Sequence, residues 1–366
     1  MTLPVTPSTY QESGVDVAAG ELAVELMRGS VARTSRPEVV GGIGGFAGLF
    51  DASALREYRR PLLASATDGV GTKVAVAQAM DKHDTIGRDL VAMVVDDLVV
   101  CGAEPLFLTD YIACGRVVPE RIAAIVSGIA DGCVEAGCTL IGGETAEHPG
   151  LLGPDDYDVA GAGTGVIEAD RLLGPDRVRE GDALVAMASS GLHSNGYSLA
   201  RAVLLGPDGP GLNRVLPEFG RTVGEELLEP TKIYAKACLG LADELEVHAY
   251  AHITGGGLAA NLARVIPTGL RADVDRGCWS VPAVVGVIGE VGRISGEDLE
   301  VAFNMGVGMV AVVPAENVGE SQAFLAKAGI RNWVLGHVSR DTSTPEAGAG
   351  EAAGIQLTVA MHGDYR

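Results

Sequence analysis

The sequence predicts an α/β (α+β) protein of two domains, and three observations carry that expectation. Apolar runs of strand length recur in both halves, separated by stretches of helical periodicity. At 366 residues the chain is long for one core and comfortable for two. Its 51 glycines and 4% aromatic residues suit many tight turns rather than an aromatic-lined binding module.

The elements follow in order. A helical pattern covers 19–33 and gives way to "SRPEVV" and the glycine run "GGIGGFAGLF" at 41–50. A strand at 62–67 leads into "DGVGTK", and a helix is expected over 84–101. Pro119 opens a further helix, with Ile122, Ile125, Val126, Ile129 and Cys133 on one face, ending near Gly137. "CTLIGGET" (138–145) reads as a short buried strand running into a Gly-Gly turn. "DVAGAGTGVIE" (158–168) reads as a strand thin in side chains. The charged, turn-rich stretch 170–181 marks a boundary, so domains are expected at 1–172 and 173–342. The second is expected to contain strands at 183–188, 246–253, 284–289 and 307–313. Residues 343–366 read as a low-complexity, partly mobile tail.

Composition narrows the function. A net charge of −21 argues against nucleic acid as a partner, because a phosphate backbone needs a basic face. Small phosphorylated ligands stay open, since they need only a local cluster of donors. Six cysteines without a C-x-x-C pair imply reduced thiols and no zinc site. The sequence shows no leader-like start and no apolar run of membrane length, so a soluble, cytoplasmic protein is expected.

"LLASATDGVGTK" (62–73) fails both the P-loop spacing and the dinucleotide fingerprint, yet sets Asp68 and Lys73 around a glycine loop. Gly42, Gly44 and Gly45 do satisfy G-x-G-x-x-[GA], but no strand of useful length precedes them and no amphipathic helix follows. They form either a phosphate-facing flap or a plain loop. Within 84–101, Leu90, Met93 or Val94, and Cys101 share a stripe on which Asp97 falls, while Asp96 points towards solvent. A carboxylate on a core-facing stripe needs a cationic partner or a metal. Asp68 and Glu144 end strands beside glycines, and with Asp97 they suggest magnesium meeting phosphates. "SSGLHSNGYSLAR" (189–201) gathers Ser190, His193, Ser194 and Asn195 in a polar turn before a helix start suited to an oxyanion. His193 either caps that turn or catalyses. "HITGGGLAANL" (252–262) holds Thr254, Gly255 and Gly256 in a second phosphate site or a tight turn. "FNMGVGM" (303–309) provides close strand packing or a ligand-facing wall.

"TDGVGTK", "DLVAMVVDDLVVCGAEPLF", "GGETAEHPG", "YDVAGAGTGV", "SSGLHSNGYSL", "HITGGG" and "FNMGVGM", in this order, resemble the phosphoribosylformylglycinamidine cyclo-ligase (AIR synthetase) family. The resemblance implies ATP-dependent cyclisation of formylglycinamidine ribonucleotide to aminoimidazole ribonucleotide through an O-phosphorylated imidate. It also implies a homodimer that pairs strands of the N-terminal domains. ATP phosphates would meet Gly42, Gly44, Gly45, Gly69, Gly71, Thr72, Lys73 and Gly143, with Mg²⁺ on Asp68, Asp97 and Glu144. Asp68, Lys73 and His193 would be catalytic. Ser190, His193, Ser194, Asn195, Thr254, Gly255 and Gly256 would hold the phosphoribosyl substrate. Arg28 stands where relatives often carry a lysine, and Asp96 where asparagine is common. Selenophosphate synthetase, thiamine-phosphate kinase and a non-catalytic nucleotide-binding regulator are the alternatives. The first of these usually carries a reactive cysteine near the glycine run, whereas the first cysteine here is Cys101.

Overall fold

The computed structural model describes residue 9 and residues 13–42, 44–342 and 358–366. The first domain runs α1 (Val17–Ala32), β1 (Val39–Val40), β2 (Leu49–Phe50), β3 (Pro61–Gly69), α2 (Val74–Met80) and α3 (Ile86–Val99). It continues with β4 (Glu104–Cys114), α4 (Pro119–Ala136), β5 (Thr139–Glu147) and β6 (Tyr157–Glu168). Four strands form one sheet in the order β3-β6-β4-β5. It is antiparallel except for β4 and β5, which run parallel across the α4 connection.

Every residue of α3 except Arg88 and Asp97 is buried. The glycines of β6 explain how the helix comes so close. A Cβ at Gly163 would lie 2.7 Å from Val94, and one at Gly161 would lie 3.2 Å from Leu90. The opposite face of the sheet is bare, with Leu63 65% and Tyr111 42% exposed.

The second domain contains β7 (Ala183–Ala188), α5 (Tyr197–Leu204), β8 (Val215–Leu216), β9 (Arg221–Thr222), α6 (Val223–Leu227) and α7 (Ala235–Glu244). Then come β10 (Ala249–His252), α8 (Gly257–Ala263), β11 (Leu270–Asp275), α9 (Ala283–Gly292) and α10 (Gly296–Ala302). It ends with β12 (Val307–Val313), α11 (Val318–Lys327), β13 (Asn332–Arg340) and β14 (Val359–His362). The sheet order is β10-β12-β7-β13-β11-β14, antiparallel until the final parallel pair. One of its faces packs Val185, Met187 and Met309 into a core continuous with Leu90, Val94 and Val95 of α3. The other face closes over Leu258 and Leu262 of α8. A single apolar core thus joins the two domains.

Several expectations need correction. Residues 284–289 are helical, within α9, although the run is β-branched; burial of Val284, Val285, Val287 and Ile288 overrides local strand preference. Strand β4 carries no apolar alternation strong enough to be read, yet it is central to its sheet. Gly142 and Gly143 lie inside β5, which continues to Glu147 without a turn there. The aspartate orientations on α3 are reversed: Asp96 is buried and Asp97 is the exposed one. A helix enclosed on all sides has no polar face from which a stripe could be measured. The part of the expected tail that is described is structured, because β14 pairs with β11. Residues 343–357 lie outside the described residues. Among the described residues, no helix is long and apolar enough to cross a membrane.

Val359 is 4% exposed, and Tyr365 stacks edge-on against Trp279 with centroids 5.3 Å apart while donating to Glu300 at 2.8 Å. Ending the chain after residue 342 should therefore destabilise it by about 2–4 kcal/mol. Thermal unfolding, with a red shift of Trp279 emission, would measure this.

Candidate active site

The turn after β3 begins the site. Asp68 accepts the Gly69 N–H at 2.7 Å, and Gly71 (φ +72°) bends the chain into a short 3₁₀ turn ending at Lys73. Across the domain boundary, the loop after β7 comes back onto it. Ser194 Oγ donates to the Val70 carbonyl at 2.6 Å, and the Thr72 and Ser198 hydroxyls lie 3.2 Å apart. Ser190 Oγ donates to the Pro230 carbonyl at 2.7 Å. Both loop serines thus spend their protons on holding the loop, leaving only oxygen lone pairs for a ligand.

Lys73 does not face a phosphate. Its ammonium is fully buried and donates to Asp89 Oδ1 (2.8 Å), the His193 carbonyl (3.0 Å) and the Glu229 carbonyl (2.6 Å). Those three bonds exhaust its donors. Asp89 Oδ1 also accepts the Thr231 N–H and hydroxyl at 2.7 and 2.6 Å. Burial pushes the lysine pKa down and that of Asp89 up, and their mutual contact opposes both shifts. Nothing in the local sequence pairs Asp89 with a residue 16 positions earlier, so this partner was not legible.

His193 is 1% exposed and has φ +62°. Its Nε2 accepts the Ser190 N–H at 3.2 Å, which puts the ring proton on Nδ1, a buried atom without a partner. Burial, with His252, Lys73 and Lys232 nearby, holds its pKa well below the usual imidazole range. The ring is neutral and presents an N–H. "FNMGVGM" makes room for it, since a Cβ at Gly308 would lie 2.6 Å from His193 Cε1. In the same motif Asn304 ties down the loop, donating to Gly191 O at 2.9 Å.

His252, at the end of β10, is the residue that sequence reasoning left without a role. Its Nδ1 lies 2.8 Å from Asp97 Oδ1, and its buried Nε2 has no partner. Asp68 sits near both: burial raises its pKa, the Gly69 N–H lowers it, Asp97 raises it and His252 lowers it. Asp96 turns inward and accepts the Tyr234 N–H at 3.0 Å; burial raises its pKa to about 7. Thr254, Gly255 and Gly256 follow His252 in the chain. The Asn261 amide donates to the carbonyls of Thr254 (3.3 Å), Gly255 (3.2 Å) and Gly257 (2.8 Å). Gly255 also faces Asn195, whose Oδ1 would lie 3.6 Å from an added Cβ. Asp68, Asp97 and His252 thus adjoin one another at the domain junction, beside the 69–72 turn and the 190–198 loop that grips it.

The remaining expected residues lie elsewhere. Gly42, Gly44, Gly45, Gly143, Glu144 and Arg28 line a separate cavity of about 1050 Å³ at the β5 edge. Glu144 pairs with Tyr111, whereas Asp68 pairs through Gly161 with Asp110 and so points to the opposite face. Three strand spacings, about 14 Å, separate the β3 and β5 edges. Glu144 thus cannot share an ion with Asp68 within one chain. Among the described residues no three His, Cys, Asp or Glu side chains are grouped to hold a metal.

The two-domain α/β arrangement has known counterparts. Two family models match: AIR synthase related protein, N-terminal domain, over residues 51–167, and AIR synthase related protein, C-terminal domain, over 179–345. A thiamine-monophosphate kinase from Stenotrophomonas maltophilia shares the fold at TM-score 0.67 and 19% identity, covering 94% of this chain and 97% of its own. The hydrogenase maturation protein HypE in complex with ATP matches at TM-score 0.61 and 19% identity, over 90% of this chain and 89% of its own. Phosphoribosylformylglycinamidine cyclo-ligase from Geobacillus kaustophilus is 49% identical, over 94% of this chain and 99% of its own. The enzyme of that name from Acetivibrio thermocellus is 48% identical over 91% and 98%. The chain belongs to the phosphoribosylformylglycinamidine cyclo-ligase family.

In the β5-edge cavity, the Asp110 carboxylate packs so tightly that a Cβ at Gly143 would lie 2.0 Å from it. Burial, reinforced by Glu144, raises its pKa to about 7 against the opposing pull of its own N–H. A carboxyl raised on folding binds its proton more tightly in the native state, so it costs stability as pH rises from about 4 to about 7. Asp110→Asn should match the wild type near pH 4 and melt higher at pH 8, which parallel thermal scans would check.

Proposed function

We infer that the protein closes the imidazole ring of formylglycinamidine ribonucleotide, consuming ATP and releasing aminoimidazole ribonucleotide, ADP and phosphate. The observation that carries this reading is the convergence of Asp68 and Asp97 on His252, with His193 close by, in a chain of this family. The formyl oxygen takes the γ-phosphoryl group, converting a poor leaving group into a good one. The ring-forming nitrogen then adds to the same carbon and loses its proton, and phosphate departs with the C–O bonding pair. Such chemistry asks a protein mainly for positioning and charge neutralisation.

In this reading the Nδ1–H of His193 donates to the oxygen on which charge develops. The Nε2 of His252, beside Asp97, is left without a protein partner and can meet the ligand. Two carboxylates crowded into one half-buried cleft are what a divalent cation relieves, so Asp68 and Asp97 fit magnesium. When bound, the ion would neutralise the nucleotide phosphates. The 69–72 turn would meet those phosphates through its backbone, without Lys73.

The β5-edge cavity could serve the same nucleotide only from a second copy of the chain. This reading makes the protein a homodimer joined across the bare face of the first sheet, and an enzyme of the cytoplasm. The exposure of Leu63 and Tyr111 supports this.

Formylglycinamidine ribonucleotide with Mg-ATP should yield aminoimidazole product and ADP in equal amounts. His193→Ala should lower kcat by about 10²-fold, as expected for loss of a donor to developing charge, measured by ADP release. Leu63→Arg should give monomers by light scattering and lose turnover, although Leu63 points away from Asp68. A fully active monomer would mean that each chain builds its site alone.

A further inference from the structure

We propose that Lys73 is a positioning residue, which couples the nucleotide-side turn 69–73 to the imidazole of His193 and holds no phosphate itself. The proposal rests on the reading of His193 given above.

Lys73 belongs to the turn that carries Gly69, Gly71 and Thr72, yet its side chain points away from the cleft and into the domain junction. Its three acceptors come from three different segments: Asp89 on α3, His193 on the loop after β7, and Glu229 ahead of α7. Together with Ser194 on Val70 and Thr72 on Ser198, these contacts let residues 70–73 grip residues 193–198 at three points. The central contact falls on the carbonyl of His193, the residue whose φ of +62° L side chains rarely adopt. A peptide held in that region persists only when its surroundings over-determine it. The Lys73 ammonium fixes the carbonyl, and the Ser190 N–H fixes the ring. Without the ammonium the residue relaxes towards negative φ and swings its ring out of register with the cleft.

A phosphate role would require the ammonium to abandon all three acceptors. It would leave Asp89, fully buried, with no cation. The geometry therefore turns the lysine of "DGVGTK" from a ligand into a lever. Movement of the turn as phosphates arrive is passed to the backbone of His193.

Lys73→Met alone strands a buried carboxylate and can unfold the chain, so the working variant is Lys73→Met/Asp89→Asn. It removes both charges and keeps an acceptor for Thr231. This variant should melt cooperatively, lose about 10²-fold in kcat and keep KM for ATP within about threefold. Placed in a His193→Ala background, the same pair of changes should cost nothing further, because the lever then has nothing to move. A raised KM for ATP with kcat preserved would make Lys73 a phosphate ligand and overturn the proposal. So would an unchanged kcat, or losses that simply add to that of His193→Ala. If His193→Ala itself left turnover intact, the reading of His193 would fall and the proposal with it.

Discussion

The structure depends on one constraint: a fully buried lysine and aspartate must stay together, and each is also bonded to backbone or hydroxyl groups of the other domain. Removing one partner of such a pair costs about 3–5 kcal/mol, while a pair replaced as a unit is often tolerated. Its contribution is therefore one of specificity, fixing how the two domains meet. The apolar core that runs from α3 into the second sheet supplies the bulk of the adhesion but would permit sliding. The ion pair and its satellite bonds select one register.

Much of the fold was legible because it rests on local signals. Pro119 starts α4 and Gly137 caps it in the left-handed conformation, as the sequence implies. The glycines of β6 are a legible oddity whose meaning is spatial, since only packing shows that they admit α3. What was not legible depended on enclosure. Strand β4 mixes Glu104, Pro105, Thr109 and Asp110 with apolar residues, and only its two neighbours make it a strand. Asp96 and Asp97 could not be told apart on a helix with no solvent side. The candidate site divided along the same line. Asp68 and Asp97 lie together at the domain junction beside the loop of His193, whereas Glu144 and the glycine run sit at the opposite edge of a sheet that no linear motif reveals. Motifs report which residues belong to one enzyme, not which belong to one pocket.

The two imidazoles have complementary surroundings. His193 is oriented by a backbone N–H at Nε2, and His252 by a carboxylate at Nδ1. Each is buried, and each keeps one ring nitrogen unsatisfied. Unmet donors and acceptors are costly inside a protein. On the proposed reading, the partners of these two nitrogens arrive with the ligand.

The left-handed geometry of His193 also bears on how this position can drift. Glycine would relieve the backbone at once, but it would discard the imidazole to which the proposed mechanism gives the donor's role. The chain keeps a locally frustrated residue in every copy it makes. If His193 acts as proposed, selection on stability and selection on turnover pull in opposite directions there, and a library sorted only for heat resistance would be expected to lose this residue first.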